Sequence, residues 1–420
     1  MTLAESPPTV ASVVSRLATW ARDYAPTAED LALADRALQD TAAVTLAARD
    51  HPISRIVAGM PEGARWSTLG HVLDFDDLHL ESTTHISVVI VPTVLACGGD
   101  ASAYLAGAGV MARLGMALGW PHYSSGWHAT CTAGAPAAAV AAGLTMGLDD
   151  EQLATAIALA IPAAGGVQAA FGSHAKSLQV GFAVDAGIRA AALAQAGASA
   201  NPAAVDDWLS LVGGDPARLI IDGPAVPGGL AIKQFPCCYA MQRPIAALRD
   251  VADRLPADVD AITGMRVSTP GSGMQPLIHD NPTTGLAAKF SMPYAVATGI
   301  LDDYSGFAEF YDDAVLRPAA QQLMSRVRVE QTPTGSNLLD GEVTIVVETA
   351  DGSISTSMAN PPGSPTRPPT RAEMVAKFAS CGVDVPDLVT DLTWQAAPQM
   401  LRENLTATTH AAAGAPPARR

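Results

Sequence analysis

Apolar residues recur at helical spacing through the first half of the chain. Val10, Val13, Val14, Leu17, Trp20 and Ala21 fall on one face, which predicts a first amphipathic helix. A second helix is expected over 29–48, after Pro26. Residues 88–95 form an apolar run in which Pro92 favours a helix start or a kink over a central strand. Residues 101–118 give a third helical pattern, with Tyr104, Leu105, Val110, Met111 and Leu114 inward, ending in a polar loop over 120–128. Residues 130–147 are rich in Ala and Gly, so helices can approach closely there. Asp149 and Gln152 read as the N-cap of the next helix and its N3 partner. That helix runs to a break at Gly165 and Gly166; a loop over 171–176 precedes another helix over 181–195.

The pattern changes near Ile232. Residues 265–268, 325–330, 343–347 and 353–357 alternate apolar and polar, as half-buried strands do. Asp351-Gly352 between the last two is a hairpin signal. Residues 361–369 are Pro-rich and irregular, and helical pattern resumes at Arg371 and Pro398. The last ten residues, AAAGAPPARR, are expected to be disordered. No βαβ alternation occurs, so no doubly wound sheet is expected. The expected fold is mainly α: a large helical domain over 1–231, to which 371–420 return, and a smaller α+β domain over 232–370.

Composition sharpens this reading. The 420 residues are 49% hydrophobic, with mean hydropathy +0.20, enough for a large core. Aromatics are only 5%, and alanine is abundant, which suits closely packed helices. A net charge of −16 argues against nucleic acid as a partner. It leaves room for a small anion, because a local pair of lysines outweighs a distant negative surface. The five cysteines are odd in number and form no C-x-x-C, so neither a disulfide framework nor a zinc ribbon is indicated. The first ten residues lack a basic and then apolar leader, which predicts a cytoplasmic protein. Apolar windows such as 153–171 are broken by Pro162 and the glycines and read as core, not membrane spans.

Titratable residues concentrate in GHVLDFDDLHLESTTHISVVIVP, residues 70–92. His71, Asp74, Asp76, Asp77, His79, Glu81 and His85 fall within fifteen residues of a chain only 16% charged. Three readings stay open: proton transfer, a metal site built on His71, Asp74, His79 and His85, or a solvated helix end. If the stretch were helical, His71, Asp74 and Leu78 would share one face, and Asp76 and His79 another. The spacing fits no metal motif with a mechanical basis. His128 follows Gly126-Trp127 and opens an Ala-rich helix. Lys176 and Lys233 sit in apolar, Gly-rich surroundings, with Arg243 shortly after, and suggest clamps for a carboxylate. Cys237 and Cys238 lack a recognisable triad partner and read as packing.

Together these pieces resemble the MmgE/PrpD family of dehydratases, decarboxylases and epimerases of small carboxylic acids. The carriers are His71-x-x-Asp-Phe-Asp-Asp77 with Thr84-His85, and Gly126-Trp-His128 with Thr130. Further on come Phe171-Gly-x-x-x-Lys176, Lys233-x-Phe-Pro-Cys-Cys238 and Ala288-Lys-Phe-Ser-x-Pro-Tyr294, so the motifs span nearly the whole chain in family order. The resemblance implies an all-helical domain, a smaller α+β lid, a site between them, metal-free and cofactor-free chemistry, and a homodimer. It implies catalytic roles for Asp74, His85, His128 and Tyr294, with Asp74 orienting or tuning a histidine. Lys176, Lys233, Arg243 and Gln242 would bind a small di- or tricarboxylate. Dehydration is the preferred reaction, with epimerisation or a non-catalytic metabolite-binding role as alternatives. Leu78, Gln179, Cys238 and Gln242 stand where many members carry Thr, His, His and His. The segment 124–128 and the run 238–244 look closest to the iminodisuccinate epimerase branch.

Overall fold

A computed structural model describes residues 12–302, 305–333, 337–338 and 340–406. Val10 of the first expected helix, and the C-terminal ten residues expected to be disordered, lie outside the described residues. The helix Ala129–Thr145 is the centre of the helical part, buried along all of 129–143. Around it pack Ser87–Cys97, Ala101–Ser124, Asp150–Ala160 and His174–Gln195. Small residues make this possible: a Cβ added at Gly187 would stand 2.5 Å from the Ala138 Cβ, so only glycine permits the approach.

The helices Val13–Asp23, Ala28–Ala47 and Glu62–Val72 complete this layer. Pro92 lies inside the helix Ser87–Cys97, as the apolar run anticipated. Asp149 and Gln152 form the expected capping box. The helix Ala101–Ser124 is long and apolar enough to span a bilayer, but 83% of its most apolar window is buried inside the protein.

Three expectations change. The helical path from Ala101 does not end at 118; it resumes past a break at Gly119 (φ 62°) and reaches Ser124. The helix expected to begin at Gly181 begins at His174, which puts Lys176 in a first helical turn and not in a loop. The dense acidic and histidine stretch is not helical, since the preceding helix ends at Val72 and the next starts at Ser87.

The second part of the chain carries a four-stranded mixed sheet. Its strands are β1 (Ile262–Pro270), β2 (Val327–Thr332), β3 (Val343–Thr349) and β4 (Gly352–Met358), in the order β2-β1-β3-β4. β1 runs parallel to β2 and antiparallel to β3, and β3 and β4 form the hairpin that Asp351-Gly352 signals. Ser325, placed in the second strand by pattern, instead ends the helix Pro318–Ser325. Val343, Ile345 and Val347 point inward as the alternation requires.

Two hydrophobic cores result. One joins residues from Val13 to Val226 with residues from Phe378 to Leu405. The other joins residues from Ala231 to Met358 and takes in Leu78 and Phe171 from the helical side. The C-terminal helices Arg371–Cys381 and Ala397–Thr406 pack on Ala28–Ala47.

Candidate active site

Between the two cores, the turn after Val72 presents its carboxylates inward. Asp74 adopts φ 55°, a left-handed conformation that costs a residue with a Cβ about 1 kcal/mol. Its Oδ1 lies 2.9 Å from Lys176 Nζ and 3.3 Å from Lys233 Nζ. Burial raises the Asp74 pKa, but the two ammonium groups outweigh it and hold the carboxyl below the ordinary range. Burial likewise pulls Lys233 down, and Asp74 with Asp76 brings its pKa above the usual lysine value.

Lys176 Nζ also donates to His71 Nε2 at 2.7 Å. An ammonium offers only donors, so the His71 proton resides on Nδ1, which donates to Asp76 Oδ2 at 2.7 Å. His85 Nδ1 lies 3.0 Å from that same oxygen, close but without well-directed hydrogen-bond geometry. His71 stacks on His128 with ring centres 5.6 Å apart, and His128 meets the Phe171 ring edge to face. Burial lowers all three histidine pKa values, that of His85 to about 4 with Asp76 opposing the shift. The three imidazoles are therefore neutral at neutral pH, and His85 and His128, which line a shared cavity, are the two placed to accept a proton, since both His71 nitrogens are engaged.

Asp74, Leu78, His85, Tyr123, His128, Thr130, Phe171, Lys176, Cys238, Tyr239, Phe290 and Leu338 are among the residues lining one cavity. Its volume of about 30 Å³ has room for one or two waters. A tricarboxylate enters only if part of this lining moves.

The structure thus gathers Asp74, His85, His128 and Lys176 on one wall, with Lys233 directly behind Asp74. The carboxylate beside the histidines is that of Asp76 and not, as expected, that of Asp74, which is committed to the lysines. Three other candidates lie off the cavity. Gln242 accepts from the backbone N–H groups of Gln234 and Phe235 and donates to the Phe235 carbonyl, so it braces the loop that carries Lys233. Arg243 is buried beside Tyr239, with Asp340 and Glu342 near enough to act on its charge. The Tyr294 hydroxyl donates to the Glu309 carbonyl. Gln179 accepts from the Val167 N–H and steadies the glycine break instead of facing the cavity.

His71 and Asp76, to which the resemblance gave no catalytic role, form the link between Lys176 and His85. Their motif marked them, but spacing could not say which carboxylate meets which ring. His71, Asp76 and His85 bring ligand atoms within 4.8 Å of one another, a spacing a cation could bridge. The ammonium groups of Lys176 and Lys233 beside them disfavour a second cation and suit an anion.

A helical core and a small mixed sheet thus meet at a buried cluster of histidines, lysines and carboxylates. The chain belongs to the MmgE/PrpD family: residues 63–208 match its N-terminal domain and residues 235–399 its C-terminal domain. It is similar to a cis-aconitate decarboxylase of Aspergillus terreus, 26% identical over 360 residues that cover 75% of this chain and 72% of that one. A second cis-aconitate decarboxylase, from Aspergillus terreus strain NIH 2624 / FGSC A1156, is 25% identical over 361 residues, with the same coverage.

Proposed function

We propose that this protein is a lyase acting on a small di- or tricarboxylic acid, with proton transfer at the carbon beside a carboxylate as its central step. The observation that carries this reading is the pairing of neutral His85 and His128 with Lys176 on one cavity wall, with Asp76 behind His85. Lys176, which lines the cavity, would hold a substrate carboxylate and stabilise the enediolate that forms, worth several kcal/mol in a site closed to water, while Lys233 behind Asp74 would act through that carboxylate. His85, beside Asp76, or the neutral His128 would take a proton from the α-carbon, and the acid that returns one, or protonates the carbon that CO2 leaves, would be the imidazolium so formed or the Lys176 ammonium.

Within this reading we favour decarboxylation. Leu78, Phe171, Phe290 and Leu338 give the remaining wall an apolar character. A carboxylate loses charge density as CO2 departs, so an apolar wall favours the transition state over the ground state. The similarity to the two decarboxylases points the same way. Dehydration, expected from the sequence, needs a proton donor to the departing hydroxide, and the Lys176 ammonium at the cavity would supply it. The working form would act in the cytoplasm as a homodimer.

The test is NMR of the purified protein in D2O with cis-aconitate, 2-methylcitrate and amino- or imino-dicarboxylates. Loss of CO2 with deuterium in the product supports decarboxylation. A new alkene without CO2 loss assigns dehydration, and deuterium at the α-carbon without net product assigns epimerisation. No exchange and no product with any of them would overturn the proposal.

A further inference from the structure

Three consecutive carbonyls of the site turn each accept a hydrogen bond from a different buried lysine. Lys289 Nζ donates to the Leu73 carbonyl, Lys233 Nζ to that of Asp74 and Lys377 Nζ to that of Phe75, each at 2.9 Å. The three ammonium groups arrive from separate parts of the chain. Lys233 lies in the loop before Cys237, Lys289 follows the short helix Gly285–Ala288, and Lys377 projects from the C-terminal helix Arg371–Cys381. All three side chains are buried, and Lys377 is 2% exposed.

Lys233 touches the Asp74 carboxylate as well, so its place in the site is already accounted for. Lys377 is different. It does not line the cavity and touches none of the histidines. Its ammonium lies 2.6 Å from Asp40 Oδ1, on the helix Ala28–Ala47, and 4.3 Å from the centre of the Phe75 ring. Asp40 is itself 1% exposed, so the ion pair is wholly internal. An internal pair of this kind adds little net stability over an apolar pair, which leaves its directional contact with the turn as its distinctive feature.

We propose that Lys377 is a positioning residue for this site, an inference that rests on the lyase reading above. Phe75 separates Asp74 from Asp76, the two carboxylates with opposite tasks. Asp74 must face Lys176 and Lys233 while Asp76 faces His71 and His85, and the left-handed backbone at Asp74 makes that divergence possible. Fixing the Phe75 carbonyl fixes the peptide plane between them. Lys377 and Asp40 thereby connect the returning C-terminal helix to the orientation of Asp76 and, through it, of His85.

The test replaces the pair together. Asp40→Asn/Lys377→Met removes both charges, leaves net charge unchanged and strands no buried ion, whereas Lys377→Met alone leaves Asp40 uncompensated. The double variant is expected to fold, to lose about tenfold or more in kcat with KM within about threefold, the pattern of misplaced groups. In 15N-histidine NMR spectra its His71 and His85 ring signals should shift, while those of His122, whose ring is held by the Val212 carbonyl and Thr132, stay in place. An unchanged kcat with unchanged ring signals would overturn the proposal. So would activity that falls only in proportion to the folded fraction seen by circular dichroism, including a variant that does not fold at all. The NMR readout needs no turnover: a wild-type protein inactive on every carboxylate would sink the lyase reading and leave the positioning question to the ring signals.

Discussion

Asp76 Oδ2 stands 3.0 Å from His85 Nδ1, on a ring whose remaining nitrogen is left for the cavity that His85 lines. The contact is an electrostatic one and not a well-directed hydrogen bond, and it puts a negative charge beside a candidate base. Replacing Asp76 by Asn keeps the shape and removes the charge. The expected result is a loss of about 10²-fold in kcat with the fold retained, checked by steady-state kinetics and circular dichroism.

The same pair sets a pH dependence. Burial lowers the His85 pKa to about 4, while Asp76 pulls it upward. The base is active when neutral, so kcat/KM should rise as pH increases through about 4 and level off above it. Asp76→Asn removes the upward pull, so its acid limb should move to lower pH. A rate profile that rises only near pH 6.5, the value for a free imidazole, would contradict the assignment.

His128→Ala and Lys233→Ala should each lower turnover by about 10²-fold or more with the fold surviving, one through lost proton transfer and the other through loss of the ammonium that holds Asp74 in place. Near-normal rates in both would refute their roles.

Tyr294→Phe should behave oppositely. Its hydroxyl is spent on the Glu309 carbonyl, away from the cavity. Turnover should stay within about threefold of wild type, while stability falls by about 1 kcal/mol in urea denaturation. A large loss of kcat without loss of stability would return Tyr294 to the chemistry.

Asp77 should report on stability. Burial raises its pKa to about 7, well above the value of about 3.9 expected when unfolded. Its protonated form is the one the fold accommodates, so its contribution is complete below about pH 4 and is lost as pH rises through about 7. Asp77→Asn should therefore melt at a higher temperature than wild type at pH 8, with the gain shrinking toward pH 4. The gap of about three pH units, at roughly 1.4 kcal/mol each, caps the effect near 4 kcal/mol. Equal gains at both pH values would show that Asp77 stays ionised.

Much of the architecture was legible along the chain because it follows from local periodicity. Helical repeats marked the core helices, alternation marked β1, β3 and β4, and Asp351-Gly352 marked their hairpin. The motifs also named the segments that meet at the site. Their carriers lie far apart in the chain, Asp74 and Lys233 by 159 residues, and spacing alone cannot say how such residues pair.

Sequence by itself determined a mainly helical protein with a smaller sheet-bearing part, its family resemblance, and Asp74, His85, His128, Lys176 and Lys233 as candidates. Tertiary structure decided that Asp76 takes the histidines while Asp74 takes the lysines, and that Gln242 and Tyr294 are occupied elsewhere. It also brought Lys377, on a helix with no motif of its own, to the Phe75 carbonyl 302 residues away. The physical reason is that a carboxylate's partner depends on backbone direction. That direction reverses at Asp74, where a left-handed turn held by three distant lysines replaces the helix that the spacing of residues 71–79 allowed.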